Sequence, residues 1–299
     1  MISLARRTHL ALWLALVLAL GIALLETGVY GWTLFVIAPF ALGLLAASLM
    51  RPATNGEAAA VGAYAVLCAA FLLLLFAMEG ALCIVMSLPI VLPLGCLGAW
   101  TGFRLRQWDL KPQQGTAMLM LPLAAFAWDV KAPPTLFHVT TEVVVHASPE
   151  QVWKHVISFP KLPEKREWVF RTGLAYPTKA RIEGSGRGAV RFCQFSTGAF
   201  IEPITVWNEP RLLRFRVTHN PAPLTEWSPW GEISPKHLHG YLVSEQGQFQ
   251  LTPLANGNTL LTGTTWYRHS LWPEQYWRWW SDGITHNHVR ALAEQEARR

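Results

Sequence analysis

The sequence predicts an α+β protein: a four-helix transmembrane bundle, then a water-soluble domain with a curved antiparallel sheet and a long C-terminal helix. Three observations carry this. Long apolar runs fill roughly the first hundred residues. Of the 25 Lys and Arg residues, six precede residue 131 and nineteen lie from Lys131 onward. Beyond that point come a strand-like segment, a helix-start signal, a series of strand-like segments divided by turn residues, and a closing helix, which is an α+β order. The expected domains are residues 1–130 and 131–299.

The first span is centred on Leu10–Leu25, an unbroken apolar run after Arg6 and Arg7. It is read as residues 8–28 once Thr8, His9 and the residues near Gly28 are added. No clean small-x-small cleavage site follows it, which argues against a signal peptide. Residues 29–50, 58–78 and 81–103 form three further runs. At 1.5 Å per residue, runs of this length cross a hydrocarbon core of about 30 Å. Pro89, Pro93, Gly95 and Gly98 interrupt the last one, as either a packed kink or a break around a ligand. Residues 115–128 are short for a helix with Pro122 inside it, and are read as interfacial or re-entrant.

Arg6, Arg7, Arg51, Arg104, Arg106 and Lys111 would share one side, with Glu26 and Glu79 on the other. The positive-inside rule then puts both termini and the soluble domain in the cytoplasm, at an inner or cytoplasmic membrane. If residues 115–128 span instead, the C-terminal domain moves to the outside. Trp13, Tyr30, Trp32, Trp100 and Trp108 fit interfacial anchors. No ionisable residue interrupts mid-span, which argues against a pump or transporter.

Net charge is +6, most of it in the soluble part. That balance suits an anionic membrane surface, and no zinc finger or Arg-rich tract points to nucleic acid. The four cysteines show no CxxC or Cys/His spacing, so no metal, disulfide framework or cofactor is expected.

In the soluble part, Lys131 and Pro133–Pro134 mark a linker, and Phe137–His146 is rich in β-branched residues and reads as a strand. Ser148, Pro149 and Gln151 provide an N-cap, a first-turn proline and a capping-box partner for a helix carrying Val152, Trp153 and Val156. Leu162–Phe170 reads as a second short helix. Strands are expected at Thr178–Glu183, Ala189–Ser196, Glu202–Trp207, Leu212–His219, Tyr241–Leu251 and Thr259–Arg268. Gly184, Gly186, Gly188, Gly198, Pro210 and Asn256-Gly257 supply the turns between them. Pro273 opens the final helix, which is expected to reach about Glu296.

The segment Val143–Lys154 (VVVHASPEQVWK) resembles the opening of the START/Bet v 1-like superfamily, also called SRPBCC or polyketide cyclase-like. Gly186–Arg191 (GRGAVR), Phe195–Gly198 (FSTG), Glu202–Trp207 (EPITVW) and Pro210–Phe215 (PRLLRF) continue the likeness. The resemblance implies a helix-grip domain, in which a bent sheet grips the C-terminal helix around a cavity for lipids, sterols or other apolar molecules. The membrane bundle and the insertion Asn220–Gly240 depart from the usual single-domain form. No Rieske motif or 2-His-1-carboxylate spacing is present, which argues against an oxygenase.

Alternation along the third strand puts Arg191, Cys193, Phe195 and Thr197 on one face. Arg191 either holds an anionic head group or pairs with Glu202 on the adjacent strand. Phe195, Thr197, Tyr267 and Trp280 are the other ligand-contact candidates, Trp280 from the apolar stripe of the last helix, where Trp279 is left to face the membrane. His237 and His239 lie two apart and would share a strand face. They are candidate general bases, or two metal ligands for which no third is signalled. With Glu202 they are the catalytic candidates. The expected function is membrane-tethered binding or transfer of a lipid or other hydrophobic small molecule. The alternative is a membrane-bound cyclase- or hydrolase-type enzyme acting on an isoprenoid, polyketide or lipid.

Overall fold

The computed structural model describes residues 19, 21–106, 124–131, 134–161 and 168–283. The chain divides into two compact units. Glu226–His237 and Leu271–Pro273 group with Met1–Pro133, and the rest of the C-terminal part forms the second unit. Residues 226–237, expected within the soluble domain, therefore belong to the helical unit.

That unit contains α1 (residues 21–27), α2 (Ala38–Met50) entered through a π-helical turn at Thr33–Ile37, α3 (Asn55–Leu75), α4 (Ala81–Leu105) and α5 (residues 124–131). Among the described residues three helices, Thr33–Met50, Asn55–Leu75 and Ala81–Leu105, are long and apolar enough to cross a membrane, where four were expected over the chain. The expected first span lies largely outside the described residues, α1 being its described part. Thr54 starts α3 as its N-cap by accepting the Glu57 N–H, while the Glu57 carboxylate accepts the N–H of Ala53, one residue earlier. Pro89 and Pro93 sit inside α4 without ending it. Close helix contact rests on small residues. A Cβ on Gly98 would lie 2.0 Å from the Phe40 carbonyl oxygen, and one on Gly43 2.0 Å from that of Gly95.

The two ends of the bundle differ chemically. At one end Arg106 donates to the Pro52 carbonyl at 2.7 Å, near the start of α3 and the end of α4. At the other lie Glu26, Tyr30, Glu79 and the segment Glu226–His237, with Lys236 bonded to the Glu26 carbonyl. Asp129, on α5, belongs to this second end, where it accepts the Trp32 and Thr33 N–H groups at 2.8 and 2.7 Å. The chain thus leaves the Arg106 end and returns at the Glu26 end. Residues 107–123, which carry most of the expected interfacial segment, lie outside the described residues.

The second unit is a seven-stranded antiparallel sheet with helices, in an order that fits the helix-grip arrangement. Its strands are β1 (Thr135–Val145), β2 (Pro177–Glu183), β3 (Val190–Phe195), β4 (Gly198–Asn208), β5 (Leu212–Arg216), β8 (Leu242–Pro253) and β9 (Thr259–His269), running β1-β9-β8-β5-β4-β3-β2 across the sheet. The expected strands all appear. The sequence reading missed the hairpin of β6 (Glu226–Ser228) and β7 (Gly231–Ile233), which lies in the helical unit. Between β1 and β2 lie α6 (Pro149–Ile157) and the short α7 (Trp168–Arg171). Residues 162–167 of the expected second helix fall outside the described residues.

Helix α6 starts where the sequence signals it, the Ser148 N–H donating to Gln151 Oε1 at 3.2 Å. It buries Val152, Trp153 and Val156 against Leu213, Phe215, Phe249, Leu251 and Leu261 of the sheet. Of the last helix, residues 274–283 are described (α8), and their helical conformation agrees with the start signalled by Pro273.

Candidate functional site

Strand β3 alternates half-buried and buried residues, and Arg191, Cys193 and Phe195 all take the buried face. Its register with β4 sets Arg191 opposite Glu202. The two side chains form an ion pair with Arg191 2% and Glu202 5% exposed. Of the two alternatives left by the sequence, the strand-to-strand pair is the one formed. The phenyl rings of Phe159, Phe215 and Phe249 lie 6.0, 5.7 and 5.8 Å from the guanidinium carbon, within cation–π range. Arg191 Nε has no hydrogen-bond partner among the described residues. An apolar enclosure thus surrounds a charged pair whose guanidinium keeps one donor unused. Phe215 reaches this place because Gly247, opposite it on β8, has no side chain. A Cβ there would lie 2.5 Å from the ring.

Desolvation sets the electrostatics. Burial pushes the Cys193 thiol up to about 12, against the opposing pull of Arg191, so it stays protonated. Burial also raises the Glu202 carboxyl, with Arg191 pulling the other way. For a pair this close we hold to the ion pair, because the guanidinium stays protonated and Glu202 is its only ion-pair partner among the described residues.

The other candidates are arranged as follows. Phe195 packs edge-on against Phe200 at 4.9 Å, on the buried face beside Cys193. Thr197 sits in the β3–β4 turn, its hydroxyl donating to the Ala222 carbonyl at 2.6 Å. Tyr267, on β9, is buried and donates to Asp282 Oδ1 at 2.5 Å, joining the sheet to α8. Burial and then the Asp282 carboxylate raise the phenol above its ordinary range, so it acts as a donor. Trp280 is half-buried and edge-on to the exposed Trp279.

The paired reading of His237 and His239 does not hold. They lie in and after a 3-10 turn (Lys236–Leu238), not a strand, and His237 is buried while His239 is exposed. His237 belongs to the helical unit, where its Nε2 lies 2.8 Å from Cys83 Sγ. Glu202 and His239 belong to the sheet unit. The catalytic candidates are therefore divided between units, and Glu202 is already engaged with Arg191. Sequence reasoning missed Glu226 and the partnership of His237 with Cys83, which lies 154 residues away.

No curated protein matches the chain in sequence. Among solved structures, an uncharacterised protein of Bacillus thuringiensis is 18% identical, with 54% of this chain and 98% of that one covered at a TM-score of 0.35. Truncated norcoclaurine synthase of Thalictrum flavum is 12% identical, with 56% and 94% covered at 0.35. A protein of Bacillus cereus is 21% identical, with 53% and 94% covered at 0.32. Residues 137–269 match the family model described as polyketide cyclase / dehydrase and lipid transport, and this match supports the superfamily that the sequence motifs resemble.

Proposed function

We propose that this chain binds or transfers a lipid or other hydrophobic small molecule in its helix-grip unit, which the apolar helices tether to a membrane. The observation that carries the reading is the Arg191 guanidinium, buried among three phenyl rings with Nε unused. A buried ion pair is a poor stabilising device, since apolar residues of the same volume often serve as well or better. A guanidinium in an apolar enclosure is suited to a carboxylate or phosphate head group whose tail needs cover. The matched family description, which includes lipid transport, is in keeping with this. Tethering raises the effective concentration of the site beside its ligand's reservoir.

The test is mass spectrometry of lipids retained by the full chain purified in mild detergent. An anionic amphiphile should accompany the wild type and be lost from the double variant Arg191→Met/Glu202→Leu, which keeps the apolar enclosure and removes both charges. Equal lipid content in the two would overturn the head-group role. The alternative, a membrane-bound cyclase or hydrolase, needs an acid and a base held together; Glu202 is engaged with Arg191 and His239 is exposed, and this favours binding.

The membrane side also enters this proposal. Arg51, Arg104 and Arg106 mark the cytoplasmic end of the bundle by the positive-inside rule, and residues 226–237 lie at the opposite end with Glu26 and Glu79. This departs from the cytoplasmic placement expected from four spans and matches the alternative reading, in which the C-terminal part moves to the outside. In intact cells a membrane-impermeant maleimide should label Trp227→Cys, whose parent residue is exposed, and should label Ala53→Cys only after permeabilisation. The reverse pattern would return residues 226–237 to the cytoplasm.

A further inference from the structure

At the end of the helical unit formed by Tyr30, Glu79 and the start of α4, four chemistry-bearing side chains converge from distant parts of the chain. Cys83, Glu226 and His237 each offer one ligand atom, and these atoms all lie within 4.8 Å of one another. Cys83 Sγ and His237 Nε2 are 2.8 Å apart. Behind the imidazole, Nδ1 lies 3.2 Å from Glu79 Oε2, in ion-pair range but off the line of a hydrogen bond. Glu79 is held in turn by the Tyr30 hydroxyl, which donates to Oε1 at 2.6 Å. Glu226 is 0% exposed, Glu79 6% and His237 8%.

We propose that Cys83, His237 and Glu226 bind a divalent transition-metal ion of the zinc class. Charge is the first argument. Two buried carboxylates and a thiol share this place, and among the described residues no Lys or Arg pairs with Glu79 or Glu226. The nearest lysine of the segment, Lys236, pairs with Glu26 instead. A divalent cation supplies the missing positive charge and makes burial of the carboxylates affordable. The donor set is the second argument. Thiolate, imidazole and carboxylate together suit zinc, and three protein ligands leave a fourth position for water. The third is the carboxylate behind the imidazole, since metal-bound histidines commonly present their other ring nitrogen to such a group.

The local backbone is shaped to admit Glu226. A Cβ on Gly80 would fall 2.0 Å from Glu226 Oε2, so only glycine leaves room for this carboxylate. Glu226 also accepts the N–H groups of Leu82 and Cys83 at 3.1 and 2.7 Å. Those bonds fix the carboxylate beside Cys83 and leave its remaining lone pairs for an ion. The ion would fasten residues 226–237 to the start of α4.

The test uses the full chain in mild detergent, with zinc and cobalt(II) as probes. After exposure to zinc and removal of the excess, the wild type should retain about one zinc per chain, and the cobalt form should show a thiolate-to-metal charge-transfer band. Cys83→Ser should lose that band, while Cys68→Ser and Cys96→Ser keep it. Glu79→Gln should keep the band but bind zinc about 10–100-fold more weakly. A readout that needs no variant guards against misfolding: zinc should slow alkylation of Cys83 in the wild type, and a chelator should restore it. If the wild type retains no zinc and Cys83 is alkylated at one rate with or without it, the metal site is wrong and a metal-free Cys–His pair takes its place.

Discussion

Arg191→Met is expected to destabilise the sheet unit by about 3–5 kcal/mol, because it leaves the Glu202 carboxylate buried without its partner. Hydrogen exchange of β3 and β4 in the detergent-solubilised chain reads this as a loss of protection. The double variant Arg191→Met/Glu202→Leu should recover most of the loss and could exceed the wild type, since replacing a buried pair by apolar groups is neutral to stabilising by about 1–4 kcal/mol. Stability and ligand retention should therefore part company in the double variant. A single variant as stable as the wild type would mean that Glu202 takes up a proton or finds water, and that the pair is not the sealed feature described above.

Trp153→Ala should cost a similar amount, about 3–5 kcal/mol. Trp153 is 1% exposed and meets Trp207 edge-on at 5.5 Å. It is the largest fully buried side chain on α6, and removing it opens a cavity that the surrounding sheet residues cannot collapse to fill. Trp153→Phe should cost far less, about 1–2 kcal/mol, because the indole Nε1 has no hydrogen-bond partner among the described residues and losing it breaks no bond. Equal losses for Ala and Phe would show instead that the indole N–H has a partner, such as a buried water. The measurement is again exchange protection, here in β5 and β8, whose Leu213 and Phe249 belong to the same cluster.

These two predictions draw on features of unequal visibility in the sequence. Trp153 was legible because the capping signals at Ser148 and Gln151 fix the helix start, and helical spacing then turns Val152, Trp153 and Val156 toward one side. The strands were legible because β-branched runs ended in glycines and prolines. The Arg191–Glu202 pair was legible as one of two alternatives, since alternation gives the face of a residue but register decides its neighbour. The hairpin at 226–233 was not, because three-residue strands are too short to show a period. The Cys83–Glu226–His237 cluster lay out of reach for a different reason. Its members are ordinary residues in sequence, separated by 143 and 154 positions from Cys83, and no local spacing announces them. The sequence marked residues 221–235 only as part of the insertion Asn220–Gly240. Trp230 is 73% exposed, yet its indole also donates to the Leu75 carbonyl at 2.6 Å, which ties that stretch to the end of α3.

Glu226 and Asp129 share a property that bears on how the chain is made. Each carboxylate accepts backbone N–H groups at the beginning of a much earlier helix, Glu226 from Leu82 and Cys83, Asp129 from Trp32 and Thr33. Synthesis runs from the N-terminus, so both helices exist well before the acids that finish them. A nascent chain that has just released α4 carries two open helix starts, whose donors still lack the side chains that will receive them. Completion of that end waits for residue 129 and then for residue 226, which lies 144 and 143 positions after the Leu82 and Cys83 N–H groups it receives. The bundle is thereby checked by its own C-terminal part: a chain truncated or misfolded before Glu226 keeps an unfinished α4, its Leu82 and Cys83 N–H groups lacking the carboxylate that receives them.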